Sequence, residues 1–224
     1  MKIPLSKRLI ACCNFVAVGD RVADIGCDHG YLGIYLLKNG IATSVIAADI
    51  NQMPLDSAFQ NAHKYGTADK MRFYLSDGVR NIPRDFDSLI CAGMGADTII
   101  SILDAAPWLQ SKQYRLVLQC QSKTPMLRKY LSDNGWYIRN ETVLRDGRFL
   151  YAVMEVIWQP EYFALSEGQL YISPALLRSG SPYLKEFYKD TIFRLNRTIT
   201  GQGKNADPML VAALKELESL EFEE

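Results

Sequence analysis

Asp24-Ile-Gly26-Cys27-Asp28-His29-Gly30-Tyr31-Leu-Gly33 is the part of the chain richest in residues that can do chemistry. A carboxylate and a glycine close a short apolar run, and two more glycines follow. Gly26 has no Cβ, so the backbone can turn sharply there and bring a ligand against its amide. Gly30 offers a second point of close approach, and Gly33 lets the following helix pack tightly on the strand. A dinucleotide fingerprint needs G-x-G-x-x-G, with a glycine where this chain carries Asp28. A carboxylate facing a pyrophosphate dianion is unfavourable. It suits a zwitterionic ligand instead, whose ammonium group Asp24 and Asp28 can serve directly or through water. Cys27 belongs to the same turn. His29 reads equally as a site residue or as one that caps the next helix or packs beneath the ligand.

Two later segments extend this edge. Val45–Ile50 (VIAADI) ends a strand in Asp49 and Ile50, where a carboxylate accepts the ribose hydroxyls of a nucleoside. Tyr74–Gly78 (YLSDG) puts Asp77 and Gly78 where an acidic residue can accept from an adenine amine. Ammonium, ribose and adenine together describe S-adenosylmethionine. The fourth segment, Cys91-Ala-Gly93-Met94-Gly95-Ala-Asp97, lies opposite. Enzymes that methylate exocyclic amines of bases carry Asn/Asp-Pro-Pro-aromatic at this point. Here Gly93 and Gly95 admit a planar base or the methyl donor to the backbone, and Met94 adds an apolar contact. A glycine-rich turn is ordinary in α/β folds, so this one takes its meaning from its place opposite the cofactor. No metal is called for by any of these groups.

The elements that must position these residues alternate. Strands are predicted at Arg21–Ile25, Ser44–Ile50, Met71–Leu75, Ser88–Ala92 and Arg115–Cys120. Helices are predicted through Ile10–Val16 with Ser6 as N-cap, at Tyr31–Lys38, at Pro54–Tyr65, over Thr98–Leu109, and from the fifth strand to Leu131. Trp136–Leu144 and Phe149–Ile157 form a hairpin about Asp146–Gly147. Right-handed crossovers then give a parallel sheet covered on both faces, and the hairpin adds one antiparallel strand. The fold class is α/β, a Rossmann-like class I methyltransferase sheet, with a small C-terminal helical hairpin. Residues 1–160 make the methyltransferase domain and residues 161–224 the helical, coiled-coil-like one. In the second, an irregular bridge (Glu161–Ser181) precedes a stripe of Leu184, Phe187, Tyr188, Ile192, Leu195 and Ile199; another follows at Leu210, Leu214, Leu217 and Leu220.

Lys+Arg and Asp+Glu balance at 25 each over 224 residues, but unevenly: 18 against 15 up to residue 160, and 7 against 10 after it. A mildly basic body can still face phosphates. No apolar run approaches the roughly 20 residues that span a bilayer, and the N-terminus has no convincing cleavage site, so a cytoplasmic protein without membrane contact is expected. The five cysteines follow no metal or redox spacing and read as small buried hydrophobes.

DIGCDHGYL, the Gly93-Met94-Gly95 loop, the Leu118–Leu131 segment (LQCQSKTPMLRKYL) and the terminal hairpin together resemble the bacterial tRNA (adenine-N1)-methyltransferases that modify adenosine 22 in the D-arm. The likeness spans essentially the whole chain. It implies methyl transfer from S-adenosylmethionine to N1 of an adenine in tRNA. Asp24, Gly26, Asp28 and His29 match the first cofactor loop, Asp49 the ribose acceptor, Asp77 and Gly78 the adenine contact, and Gly93–Gly95 the loop shared by donor methyl and target base. Ala96 stands where the family loop has a further glycine, and Gln119-Cys120 departs from Gln-Pro.

Adenine N1 carries a free lone pair, so positioning in line at about 3–3.5 Å can do most of the catalysis. A carboxylate or carbonyl should help the charge that develops on the base, with Asp28 and Asp97 as candidates. Reaching the base requires opening or flipping it onto an aromatic, for which Tyr31 is the candidate, or else a core-facing tyrosine. Lys7, Arg8, Arg139, Arg145, Arg148, Lys185 and Lys189 are candidates to grip phosphates, with Arg194 and Arg197 in the same stripe; solvated surface and hairpin packing are the competing readings. Oligomeric state stays open. A class I methyltransferase of another substrate and a non-catalytic Rossmann-type nucleotide-binding protein are the two alternatives.

Overall fold

The computed structural model describes residues 2–161 and 164–220. Its strands are β1 (Asp20–Ile25), β2 (Ala42–Asp49), β3 (Met71–Leu75), β4 (Ser88–Met94), β5 (Arg115–Cys120), β6 (Trp136–Asp146) and β7 (Phe149–Trp158). They form one sheet in the order β3-β2-β1-β4-β5-β7-β6. β7 alone runs antiparallel to its neighbours, as the hairpin predicts. This is the class I methyltransferase sheet. Its strand order reverses between β1 and β4, and that switch point opens the crevice in which α/β sheets bind ligands.

The helices are α1 (Lys7–Cys13), α2 (Tyr31–Lys38), α3 (Gln52–Tyr65), α4 (Ala96–Asp104), α5 (Thr124–Asp133), α6 (Pro174–Leu177), α7 (Leu184–Gln202) and α8 (Pro208–Glu218). Central strands are covered on both faces, which is why Val22–Ile25 of β1 and Ser88–Cys91 of β4 are buried without alternation. On one face Ala23, Ile25 and Leu89 pack with Ile99, Leu103 and Leu127 of α4 and α5. On the other, Val22 and Val45 pack with Cys12, Leu36, Leu55 and Ala58 of α1, α2 and α3. All five cysteines are buried, and burial pushes the thiols of Cys12, Cys13, Cys27 and Cys91 up, leaving them unreactive at neutral pH.

Three local readings differ from expectation. The helix predicted over Thr98–Leu109 stops at Asp104, because Pro107 drives Ala106 out of the helical region and opens a separate 3-10 turn, Pro107–Leu109. Ser6 stands at the N-cap of α1, but its hydroxyl makes no capping bond. Asp146 of the distant hairpin accepts from the Arg8 amide instead, at 3.3 Å. The bridge predicted as irregular holds α6, capped by the Ser173 hydroxyl, which accepts from the Leu176 amide.

Leu195 of α7 and Leu217 of α8 close on Val143, Ile172 and Leu176. Of the first predicted stripe only Ile199 stays outside this cluster. The buried Arg128 ties the cluster to the sheet. Its guanidinium donates to the carbonyls of Leu170 (2.7 Å) and Tyr171 (3.0 Å) and pairs with buried Glu141 of β6, which also accepts from Ser173.

Candidate functional site

At the end of β1 the chain turns through Gly26, whose φ of +73° is in the left-handed region. The Gly26 and Cys27 amides both donate to the Ala48 carbonyl, at 2.8 and 3.0 Å, pinning the turn to the end of β2. A Cβ on Gly26 would run into the Met94 methyl, so the first loop and the Gly93–Gly95 loop touch. A Cβ on Gly33 would lie 2.8 Å from Val45, and one on Gly30 would lie 2.9 Å from Ala58. Gly33 therefore lets α2 close on the sheet, and Gly30 lets the turn before α2 close on α3.

Asp24 is buried, and its Oδ2 has no hydrogen-bond partner among the described residues. Burial, then the charge of Asp49, push its carboxyl up to about 7; the Gly33 amide opposes this and Asp28 adds to it. Asp49 accepts from the Asp28 amide at 3.2 Å and from the Asn51 amide at 2.9 Å. Among the described residues no Lys, Arg or His pairs with Asp24 or Asp49. Buried acid without a cation is costly, and a ligand ammonium group would relieve it. The residues present thus fit the methionine end of S-adenosylmethionine. Asp28 has a left-handed backbone (φ +49°), which Asp tolerates, and its exposed carboxylate lies 3.7 Å from His29.

Exposed Ile50, Met53 and Leu75 flank the ends of β2 and β3 with apolar surface. Ser76 holds the following turn, donating to the Gly78 carbonyl and accepting from the Asn81 amide. That turn presents Asp77, which is exposed and paired with Arg80 at 2.9 Å.

On the other side of the switch point, β4 pairs with β5 until Gly93, where the register shifts between Ala92 and Met94. Gly93 adopts φ +79°, and its amide leaves the strand ladder for Oε1 of fully buried Gln119, at 3.0 Å. The same oxygen accepts from the Arg8 guanidinium at 2.9 Å. Arg8 lies over the Tyr151 ring (5.7 Å to its centre), and a Cβ on Gly93 would sit 3.1 Å from it. Residue patterns marked Arg8 for phosphates; the structure turns it toward the Gly93–Gly95 loop. Gln119 is the residue that sequence reasoning underweighted, although a lone amide in the apolar strand Leu116-Val-Leu-Gln-Cys120 was a usable signal. Asp97 pairs with Lys123 at 2.9 Å, both largely exposed.

Tyr31, in the first turn of α2, meets His29 and the edge of Tyr65, on the face of the sheet that carries α1 and α3. Arg139 is paired with Glu155 and Arg145 with Glu186 of α7. Lys7, Arg148, Lys185 and Lys189 are exposed, Arg148 lying over Phe149. A cleft of about 600 Å³ separates Gln121–Pro125 and the Phe149–Ala152 strand from α7, and Tyr171 and Arg194 also line it. It opens beside the Gly93–Gly95 loop, since Gln121 and Ser122 lie against Gly93 and Gly95. Among the described residues no helix is long and apolar enough to cross a membrane, and no acid, His or Cys cluster could hold a metal.

Residues 5–154 match the family model for a methyltransferase domain. A Mycoplasma genitalium protein named a putative tRNA methyltransferase is 32% identical over 180 residues, 77% of this chain and 79% of that one. The Bacillus subtilis tRNA (adenine(22)-N(1))-methyltransferase is 30% identical over 154 residues, 68% of this chain and 65% of that one. A Streptococcus pneumoniae structure in complex with S-adenosyl-L-methionine matches with a TM-score of 0.83 at 27% identity, covering 96% of this chain and 98% of that one.

Proposed function

The chain belongs to the methyltransferase-domain family and, within it, to the tRNA (adenine(22)-N1)-methyltransferases, and from that premise we propose that it methylates N1 of adenine 22 in tRNA. The observation that carries the cofactor assignment is the buried, unpartnered Oδ2 of Asp24 at the foot of the Gly26 turn. When bound, S-adenosylmethionine supplies an electrophilic methyl group on a sulfonium.

The chain's own residues bind and orient. Asp24 holds the ammonium end, with Asp28 and the Gly26–Gly30 backbone around it. Asp49 takes the ribose hydroxyls with the lone pairs left after its two backbone bonds. Ile50, Asp77 and Gly78 frame the adenine end. Gly93–Gly95 set the target base against the methyl group, with Met94 as their apolar contact. Adenine N1 offers its lone pair unaided, so no residue needs to remove a proton before transfer, and alignment supplies most of the rate. Tyr31 remains a candidate to stack on the opened base. Lys7, Arg148, Lys185 and Lys189, being exposed, are the stronger candidates for tRNA phosphates.

Residues 1–160 would carry cofactor and chemistry in the cytoplasm, and residues 161–224 an appended helical unit. The family match ending at residue 154 supports that division. The test is to methylate transcribed tRNA with labelled S-adenosylmethionine and analyse its nucleosides. N1-methyladenosine at position 22, abolished by Asp24→Ala, is expected. Methyl on another nucleoside would point to the alternative substrate class, and thermal stabilisation by NAD alone to a non-catalytic nucleotide binder.

A further inference from the structure

Arg8 lies in a helix that contributes nothing to the cofactor loops, yet its guanidinium reaches the residue at which β4 leaves the sheet. The Gly93 amide has lost its ladder partner to the register shift, and leaving a half-buried amide unsatisfied would be costly. Gln119 supplies the acceptor. A glutamine side chain can present either its oxygen or its nitrogen, and only the oxygen serves here. Two contacts select it: Arg8 Nη1 donates to Oε1 at 2.9 Å, and Gln119 Nε2 donates to the Cys120 carbonyl at 3.1 Å. Arg8 is itself held from two sides, by its amide on Asp146 and by its guanidinium over Tyr151.

We propose that Arg8 is a positioning residue for methyl transfer, fixing the Gly93 bulge through Gln119, rather than a phosphate ligand. The proposal rests on the methyltransferase reading of the Gly93–Gly95 loop. An arginine bound to phosphate holds the RNA, so its loss raises KM and flattens the salt dependence of binding. An arginine that fixes the loop leaves the tRNA bound but the base out of line, where a misplacement of about 1 Å costs on the order of 10²-fold in rate.

Arg8→Met keeps an apolar stem against Tyr151 and removes the donors; Arg8→Lys keeps one donor. With tRNA as substrate, Arg8→Met should lower kcat by about ten- to a hundredfold. KM for tRNA and affinity for S-adenosylmethionine should stay within about twofold, while Arg8→Lys recovers much of the rate. Gln119→Leu should reproduce the loss, and the double variant should be no worse than either single one, as expected for residues acting through one contact. Raised KM with kcat intact and a shallower salt slope would make Arg8 a phosphate ligand and overturn the proposal. Hydrogen exchange of the Gly93 amide needs no turnover. Faster exchange in Arg8→Met supports the proposal and unchanged exchange refutes it, even if wild-type protein proves inactive on tRNA and the functional reading fails.

Discussion

At the ends of β1 and β2, Asp24 and Asp49 stand without a cation among the described residues, and one of them has a buried oxygen that none of those residues satisfies. Across the switch point, at the ends of β4 and β5, the polar groups near the Gly93–Gly95 loop are partnered: Gly93 with Gln119, Gln119 with Arg8, Asp97 with Lys123. The first edge is built to receive charge from outside, and the second to hold a shape. On the proposed function, binding and alignment fall to different residues, and they should fail separately.

Asp24→Ala breaks the first edge most completely. Removing one partner of a buried charge pair costs about 3–5 kcal/mol, so affinity for S-adenosylmethionine should fall by at least about two orders of magnitude in calorimetry. A loss under about threefold would mean that Asp24 does not face the ammonium group.

Gly93→Ala strikes the second edge. The left-handed backbone costs a residue with a Cβ about 1–2 kcal/mol, and the new carbon would press on Arg8 at 3.1 Å and Gln121 at 3.4 Å. We expect kcat to fall by about one to two orders of magnitude with cofactor affinity nearly unchanged. If affinity fell as far as kcat, the two edges would not be separable.

These two edges also differ in how far they could be read from residues alone. Asp24 and Asp49 lie in the last residues of β1 and β2, and Asp77 two residues beyond β3, so local patterns place them, and the glycine spacing around Gly26 marks the turn. The sheet order was legible for the same reason, because alternating strands and helices, and then Asp146-Gly147, leave few topologies. Arg8 is 111 residues from Gln119 and 138 from Asp146, and nothing in its neighbourhood points to either. The same holds for Arg128 and Glu141: an Arg in the helix LRKYL reads as surface until packing encloses it. Long-range polar pairings are decided by tertiary contact, which local periodicity does not record.

The pH dependence sharpens the first edge. The Asp24 carboxyl titrates at about 7 in the fold against an ordinary 3.8. Between those values the folded protein keeps a proton that the unfolded chain has released. The ligand-free protein therefore loses stability as pH rises from about 4 to about 7, and Asp24→Asn should abolish that part of the slope in thermal melts. The ammonium group prefers the ionised carboxylate, so cofactor affinity should run the other way, rising about tenfold from pH 6 to pH 8. A flat affinity profile over that range would remove Asp24 from the binding site.

The smallest effect is expected at Lys123→Ala, and it asks whether the second edge uses charge at all. The Lys123–Asp97 pair is more than half exposed on both sides, so its loss should cost less than about 1 kcal/mol. It would, however, free a carboxylate at the start of α4, directly after the Gly93–Gly95 loop, and so make this edge resemble the first. If Asp97 stabilised the charge that develops on the methylated base, releasing it from Lys123 should raise kcat, and Asp97→Asn should lower it, by about tenfold each way. If the loop works by shape, both variants should stay within about twofold of wild type in kcat. We expect the second result, because the Arg8–Gln119 network at this edge ends on the Gly93 amide and not on a free carboxylate.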